Sequence, residues 1–363
     1  MKKSFAAFLV ILTAVLALAA PIYAEDLPLD VSAAEEELPA DVREITGSLV
    51  TDGSYDVGGA IGRFVDRAKR QAADRLKDEA RDVVRIMMIA VICTIAESLC
   101  QEGRIREVVS LCACAATAIA VTGSIDSFAG QMIETIRTLG SYAGTVLPVV
   151  YTAAAVSGAV VSSGARYAAV LLCLNILMDL LLRLAVPLIY AFLALCLSRS
   201  MYPNPVLNTA VSVVKWCTIT GMTVLTTVIS VYIGFTGSLT AGADAIAVKG
   251  GKMVISNALP VVGGILSDAA SVVLASASVI KNSAGIYALV GICALCLSPF
   301  LAIGVKMLLF RLCATVASAI EGKRLAMLLG DLSTALGMML GVLGCMTIML
   351  FISLMAAIKT VSP

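Results

Sequence analysis

The sequence predicts an all-α polytopic membrane protein, with about seven to nine spanning or re-entrant helices behind an extracytoplasmic N-terminal amphipathic helix. Three observations predict it. The 363 residues are 60% hydrophobic and 14% charged, with a mean hydropathy of +0.97; a soluble domain is roughly 45–50% apolar and 25% charged. Apolar runs near the ~20 residues needed to cross a bilayer recur along the chain. Prolines interrupt those runs in pairs: Leu147-Pro148-Val149-Val150 returns 112 residues later as Leu259-Pro260-Val261-Val262, and Pro187 and Pro299 repeat the same offset.

At the N-terminus, Lys2 and Lys3 precede an apolar run, then Ile22-Tyr23-Ala24 and the acidic Glu25-Asp26. This is the order of a secretory signal. Residues 1–24 are read as a signal peptide, cleaved after Ala24 or kept as an anchor; both outcomes place 25–82 outside the cytoplasm. Residues 25–56 are acidic and polar, with Pro28 and Pro39, and read as a flexible linker. Over 57–82, Ile61, Phe64, Val65, Ala68, Ala72 and Leu76 recur at helical spacing among many charges, which predicts an amphipathic helix. Its apolar face either packs on the chain's own membrane domain or meets anionic lipid or a partner. Its Lys and Arg content runs against the positive-inside rule.

The polytopic domain is assigned to 83–363. Expected spans lie near 83–100 and 108–123, joined by a turn containing Arg104 and Arg106. Residues 124–142 are weakly amphipathic, with Asp126, Glu134 and Arg137, and the charge-free first LPVV region follows at 143–164. Residues 167–198 read as one long kinked helix or two short pieces around Pro187. Met201-Tyr202-Pro203-Asn204-Pro205 reads as a loop, and Lys215 and Trp216 mark the edge of the next span. A second weakly amphipathic stretch, 237–258, precedes the second LPVV region at 259–280. Apolar runs at 284–318 and 333–358 flank the polar loop Glu321-Gly322-Lys323-Arg324. Gly337-x-x-x-Gly341 in the last run has the spacing that allows close helix packing.

The matched prolines have two readings. One is a repeat at offset 112, with halves at about 125–236 and 237–358, and helix breaks at Pro148, Pro187, Pro260 and Pro299 near a repeat interface, as in transporters. The other is a chance match in a Leu- and Val-rich chain.

The chemistry available is limited. There is no histidine, which removes Ser-His-Asp and Cys-His nucleophiles and the usual His-containing zinc sites. Neither a phosphate-binding loop nor a dinucleotide fingerprint is present. No catalytic residue, metal or cofactor is expected, and a net charge of +1 argues against nucleic acid. The cysteines (Cys93, Cys100, Cys112, Cys114, Cys173, Cys196, Cys217, Cys293, Cys296, Cys313 and Cys345) all lie in or beside apolar segments, where thiols pack as small apolar groups.

Charges in or near spans mark candidate polar positions: Glu97, Asp179, Arg183, Lys215, Asp268, Lys306 and Arg311. Asp179 and Arg183 share a helix face and form either a local ion pair or part of a conduit. Asp268, following Pro260 and Gly263-Gly264, either lines a polar path or sits in a helix cap. Lys249 and Lys252 complete the candidate conduit set.

The stretches LPVVYTAAAVSGAVVSSG and LTAGADAIAVKGGKMVISNALPVVGGILSDAASVVLASASVIKNSAGI, and the EGKRL loop at 321–325, give the chain a family resemblance. It resembles the stage III sporulation protein AE family of endospore-forming bacteria over about residues 40–360, signal sequence included. The resemblance implies a multi-pass protein of the mother-cell membrane around the forespore. It implies a place in a channel or secretion-like assembly between the two cells, described as permease-like. Implied partners are the other stage III A proteins, one an ATPase, and forespore protein Q. It brings no catalytic or substrate residues. A scaffold without a conduit and an independent secondary transporter are the competing expectations.

Overall fold

The computed structural model describes residues 104–156, 160–202, 204–258, 263–319 and 323–358, with Val50–Thr51, Ser54–Tyr55 and scattered positions between 70 and 95; side chains of 236–284 are outside that description. The signal segment 1–24, most of the linker and of the 57–82 helix, and most of the expected 83–100 span therefore lie outside the described residues.

Within the linker, β1 (Val50–Thr51) and β2 (Ser54–Tyr55) pair antiparallel, Val50 opposite Tyr55. Asp52-Gly53 between them is a sequence favoured in two-residue hairpins. Every other described element is helical: α1 (Arg104–Val156), α2 (Val160–Leu180), α3 (Val186–Met201), α4 (Pro205–Ala258), α5 (Gly263–Ala319) and α6 (Lys323–Ile358).

Among the described residues, five stretches are long and apolar enough to cross a membrane: Glu107–Val156, Ser163–Met201, Pro205–Ile233, Tyr287–Ala319 and Arg324–Ala357. The expected seven to nine crossings are not reached there, for a physical reason. α1 runs without an end through the 108–123 span, the 124–142 stretch and the start of the first LPVV region; neither its scattered glycines nor Pro148 ends it.

The prolines behave differently from one another. Pro148 lies inside α1 and Pro299 inside α5, and neither ends its helix. Pro187 follows a π-helical turn, Leu181–Ala185, in which the Val186 N–H donates to Leu181 O. That wide turn accommodates a residue with no N–H of its own. α2, the π turn and α3 thus form one helical path, settling the 167–198 ambiguity in favour of a single distorted helix. Pro260 and the rest of the second LPVV fall between α4 and α5, outside the described residues. The offset-112 repeat gains no support from the elements: Pro187 and Pro299 share a spacing but not a local conformation.

The 201–205 loop is seen as expected. Tyr202 leaves helical geometry at φ −127°, and Asn204 Oδ1 accepts from the Val206 N–H, capping α4 with Pro205 as its first residue. Lys215 and Trp216 lie within α4 rather than at its end, since the helix starts at Pro205.

α6 packs on each of the other five helices, most extensively on α5. Its Leu328, Leu332, Leu336, Met339, Leu343 and Met346 are fully or almost fully buried. Cys296 Sγ and Thr347 Oγ1 meet at 3.1 Å, and Ser333 Oγ donates to Met307 O at 2.9 Å, tying α5 to α6. Within single helices, Thr117, Thr218, Thr223 and Thr347 each donate their hydroxyl to the carbonyl four residues back. Those hydroxyls therefore need no partner from lipid.

Candidate functional site: a polar outer face on α1 and α2

Two contacts fix how α1 lies against α2 and α3. The Tyr190 hydroxyl of α3 donates to Asp126 Oδ1 of α1 at 2.8 Å. A Cβ on Gly140 of α1 would come 2.8 Å from Met178 Sδ of α2. α1 is therefore antiparallel to the α2–α3 path, and Glu134 and Arg137 stand at the level of Asp179 and Arg183. On its other side, Lys306 of α5 sits 5.7 Å from the Phe128 ring centroid, and Gly291 of α5 faces the Tyr142 hydroxyl. Both α5 positions belong to the Tyr287–Ala319 stretch, which is long and apolar enough to cross a membrane. The least apolar part of α1 thus packs beside such a stretch.

α1 divides sharply there. Val121, Met132, Ile136, Leu139 and Tyr142 are fully buried against the bundle. The opposite side is exposed and reads Gly123, Ser127, Gly130, Glu134, Arg137, Ser141, Gly144. The steps alternate four and three residues, so these positions fall on one line along the helix. A Cβ at Gly123, Gly130 or Gly144 would meet nothing within 4 Å. By contrast, a Cβ on Gly291 would fall 2.1 Å from the Tyr142 hydroxyl. The chain's own packing requires Gly291 and does not require the three glycines of the stripe.

Asp179 and Arg183 pair at 3.4 Å, side chains 62% and 78% exposed, within the Ser163–Met201 stretch, which is long and apolar enough to cross a membrane. The local pair expected from their spacing is present, and it points away from the bundle. Four formal charges, two of each sign, therefore share one level on the outer side of α1 and α2.

Other polar positions lie elsewhere. Arg199 of α3 and Asp331 of α6 form a part-buried pair, both side chains 15% exposed, and Arg199 Nε is buried without a hydrogen-bond partner. Arg324 reaches Glu107 at 3.4 Å, and Arg166 Nη1 donates to Ala356 O at 3.2 Å, where a cation suits the end of α6. Lys306 is buried beneath the Phe128 and Phe310 rings, and Arg311 is exposed. Asp268, Lys249 and Lys252 lie on helical stretches of α5 and α4 whose side chains are outside the description.

Gly337 and Gly341 line a cavity of about 340 Å³ between α4, α5 and α6, with Met222, Thr226 and Phe300. A Cβ on Gly341 would lie 3.4 Å from Met222 Cε. The Gly-x-x-x-Gly spacing therefore admits a side chain of α4 rather than bringing two backbones together. Cys293 and Cys296 are buried free thiols, and among the described residues no three His, Cys, Asp or Glu side chains gather as a metal site.

Sequence reasoning missed the Arg199–Asp331 pair and the stripe. The pair gives no sequence signal, since its partners are far apart in the chain. The stripe does give one, the alternating four-and-three spacing of Gly, Ser, Glu and Arg through 124–142. A family model described as stage III sporulation protein AE matches residues 47–360. No curated protein and no solved structure matches the chain.

Proposed function

Because this chain belongs to the stage III sporulation protein AE family, we propose that it is an integral membrane subunit of the assembly linking mother cell and forespore, with the polar outer face of α1 and α2 bordering the path through it. Its membership carries a stage III sporulation role and association with other stage III sporulation proteins. The finer steps are proposals: residence in the mother-cell membrane around the forespore, a permease-like contribution, and partnership with an ATPase subunit and forespore protein Q.

One observation carries the reading. Glu134, Arg137, Asp179 and Arg183 face outward on stretches long and apolar enough to cross a membrane. Charges in spans are costly against lipid and normally face protein or water. The bundle interior, filled by α6 side chains such as Leu336 and Met339, leaves the outer face as the polar route. Asp268, Lys252 and Lys249 are further candidates for the same path.

The test is sporulation of cells carrying Glu134→Gln with Arg137→Gln, or Asp179→Asn with Arg183→Gln. Forespore development is expected to stop while the amount of protein and its partner binding stay normal. Normal sporulation by both variants would leave the scaffold reading, which the filled interior favours. Transport by vesicles containing this protein alone would support an independent transporter.

A further inference from the structure

We propose that the cavity between α4, α5 and α6 is a lipid site, taking one acyl chain of an anionic phospholipid from the surrounding leaflet with the headgroup phosphate at Lys215. The walls select hydrocarbon. Met222, Phe300, Met307 and Leu340 line it, and Gly337, Gly341 and Gly344 keep the α6 wall low. The lining hydroxyls are engaged within α4: Thr223, Thr226 and Thr227 each donate to the carbonyl four residues back. A buried water needs about two to four polar partners, and an apolar cavity of ~150 Å³ stays dry and takes up benzene. This cavity, at about 340 Å³, has room for a longer hydrocarbon.

The opening faces the same side as the apolar surface of α4. Ile219, Thr223 and Thr227 of the lining are exposed, beside Val224 and Val228, which are more than half exposed. Gly341 is exposed although Leu340 and Val342 next to it are buried, so the α6 wall is reached through the cavity. All three walls belong to stretches long and apolar enough to cross a membrane. On α6 the lining runs from Gly337 to Ile348, roughly 16 Å at 1.5 Å per residue. Half of the ~30 Å hydrocarbon core, the depth of one leaflet, is about the same.

Charge selects the lipid. Lys215 precedes Ile219 by four residues and so stands on the same face of α4, one turn from the lining. With the exposed Trp216 it borders the charge-free run 217–235, as Lys and Trp do at the headgroup level. The ion pairs among the described residues, Asp179–Arg183, Arg199–Asp331 and Arg324–Glu107, leave Lys215 out. A lipid phosphate supplies the anion that Lys215 lacks there.

The site stands on the α4 side and is independent of the path proposed on α1 and α2. It is tested with the full-length chain in phosphatidylcholine vesicles holding a minor fraction of phosphatidylglycerol with a diazirine on one acyl chain. Illumination is expected to label Gly341 and Cys345 of α6 as well as Val224 and Val228 of α4. The α6 label should saturate as the photolipid fraction rises, while the α4 label keeps rising in proportion. Gly341→Leu, which fills the cavity, should lower the α6 label roughly tenfold and leave the α4 label unchanged. Lys215→Gln should lower the α6 label about fivefold, as should moving the diazirine to phosphatidylcholine, and Lys215→Arg should keep it. An unlabelled α6, the result expected were 236–284 seated in the cavity, overturns the site, and so does an α6 label that never saturates. Equal α6 labelling by the two lipids, or by the wild-type chain and Lys215→Gln, overturns the choice of an anionic headgroup.

Discussion

α4 and α1 present the bundle's two contrasting outer surfaces. The outward side of α4 carries Val206, Val213, Trp216, Val224, Val228, Val231 and Phe235, each more than half exposed. The hydroxyls among them are internally satisfied: Thr223, Thr227 and Ser230 each donate to the carbonyl four residues back. The outward side of α1 is a line of glycine, serine, glutamate and arginine, at the level of the exposed Asp179–Arg183 pair. Hydrocarbon suits the first surface, where no polar group seeks a partner. It does not suit the second. On the proposed reading exposure has two meanings: contact with lipid on α4, and contact with protein or water along the α1 stripe, while α2 carries both, its Asp179–Arg183 pair lying beside the exposed Leu172, Ile176 and Leu184.

The sharpest way to break this contrast is to compare charges inside the bundle with charges on its polar face. Arg199→Ala leaves the part-buried Asp331 without its partner and should destabilise the chain by about 1.5–3 kcal/mol. Arg183→Ala removes an exposed neighbour of Asp179 and should cost only about 0.3–0.5 kcal/mol. Denaturant titration in mild detergent measures both. Equal losses would mean that the Asp179–Arg183 face is packed as tightly within one chain as the Arg199–Asp331 contact.

A smaller effect separates the glycines. Gly291→Ala drives a methyl into the Tyr142 hydroxyl and should cost about 1–3 kcal/mol, the usual penalty of overpacking. Gly130→Ala meets open space and should leave stability unchanged or raise it by up to about 1 kcal/mol. Thermal unfolding of the two variants checks this. A destabilised Gly130→Ala chain would mean that the stripe is packed within its own chain.

Much of this architecture was legible from local pattern. Composition and apolar runs point to membrane helices. The four-residue spacing of Asp179 and Arg183 places them on one face, and the polar, proline-rich 201–205 reads as a loop. Less legible was anything set by distant contacts. Arg199 and Asp331 are 132 residues apart in the chain, and nothing near either one signals the other. Lys306 reads as a charge in a span, but only packing of α1 on α5 buries it under Phe128. Proline was over-read: Pro148 and Pro299 each remove one N–H, yet both helices continue through them. The amphipathicity of 124–142 was visible, whereas its outward direction came from α5, α2 and α3 covering the opposite side.

The central claim is that the polar face of α1 does not meet lipid. It is tested most directly by photolabelling the chain, in a bilayer, with a diazirine carried on a lipid acyl chain, and mapping the label by mass spectrometry. The account predicts label at Val213, Trp216, Val224 and Val228 of α4 and none along the α1 stripe from Gly123 to Gly144. Equal labelling of the two faces would contradict it.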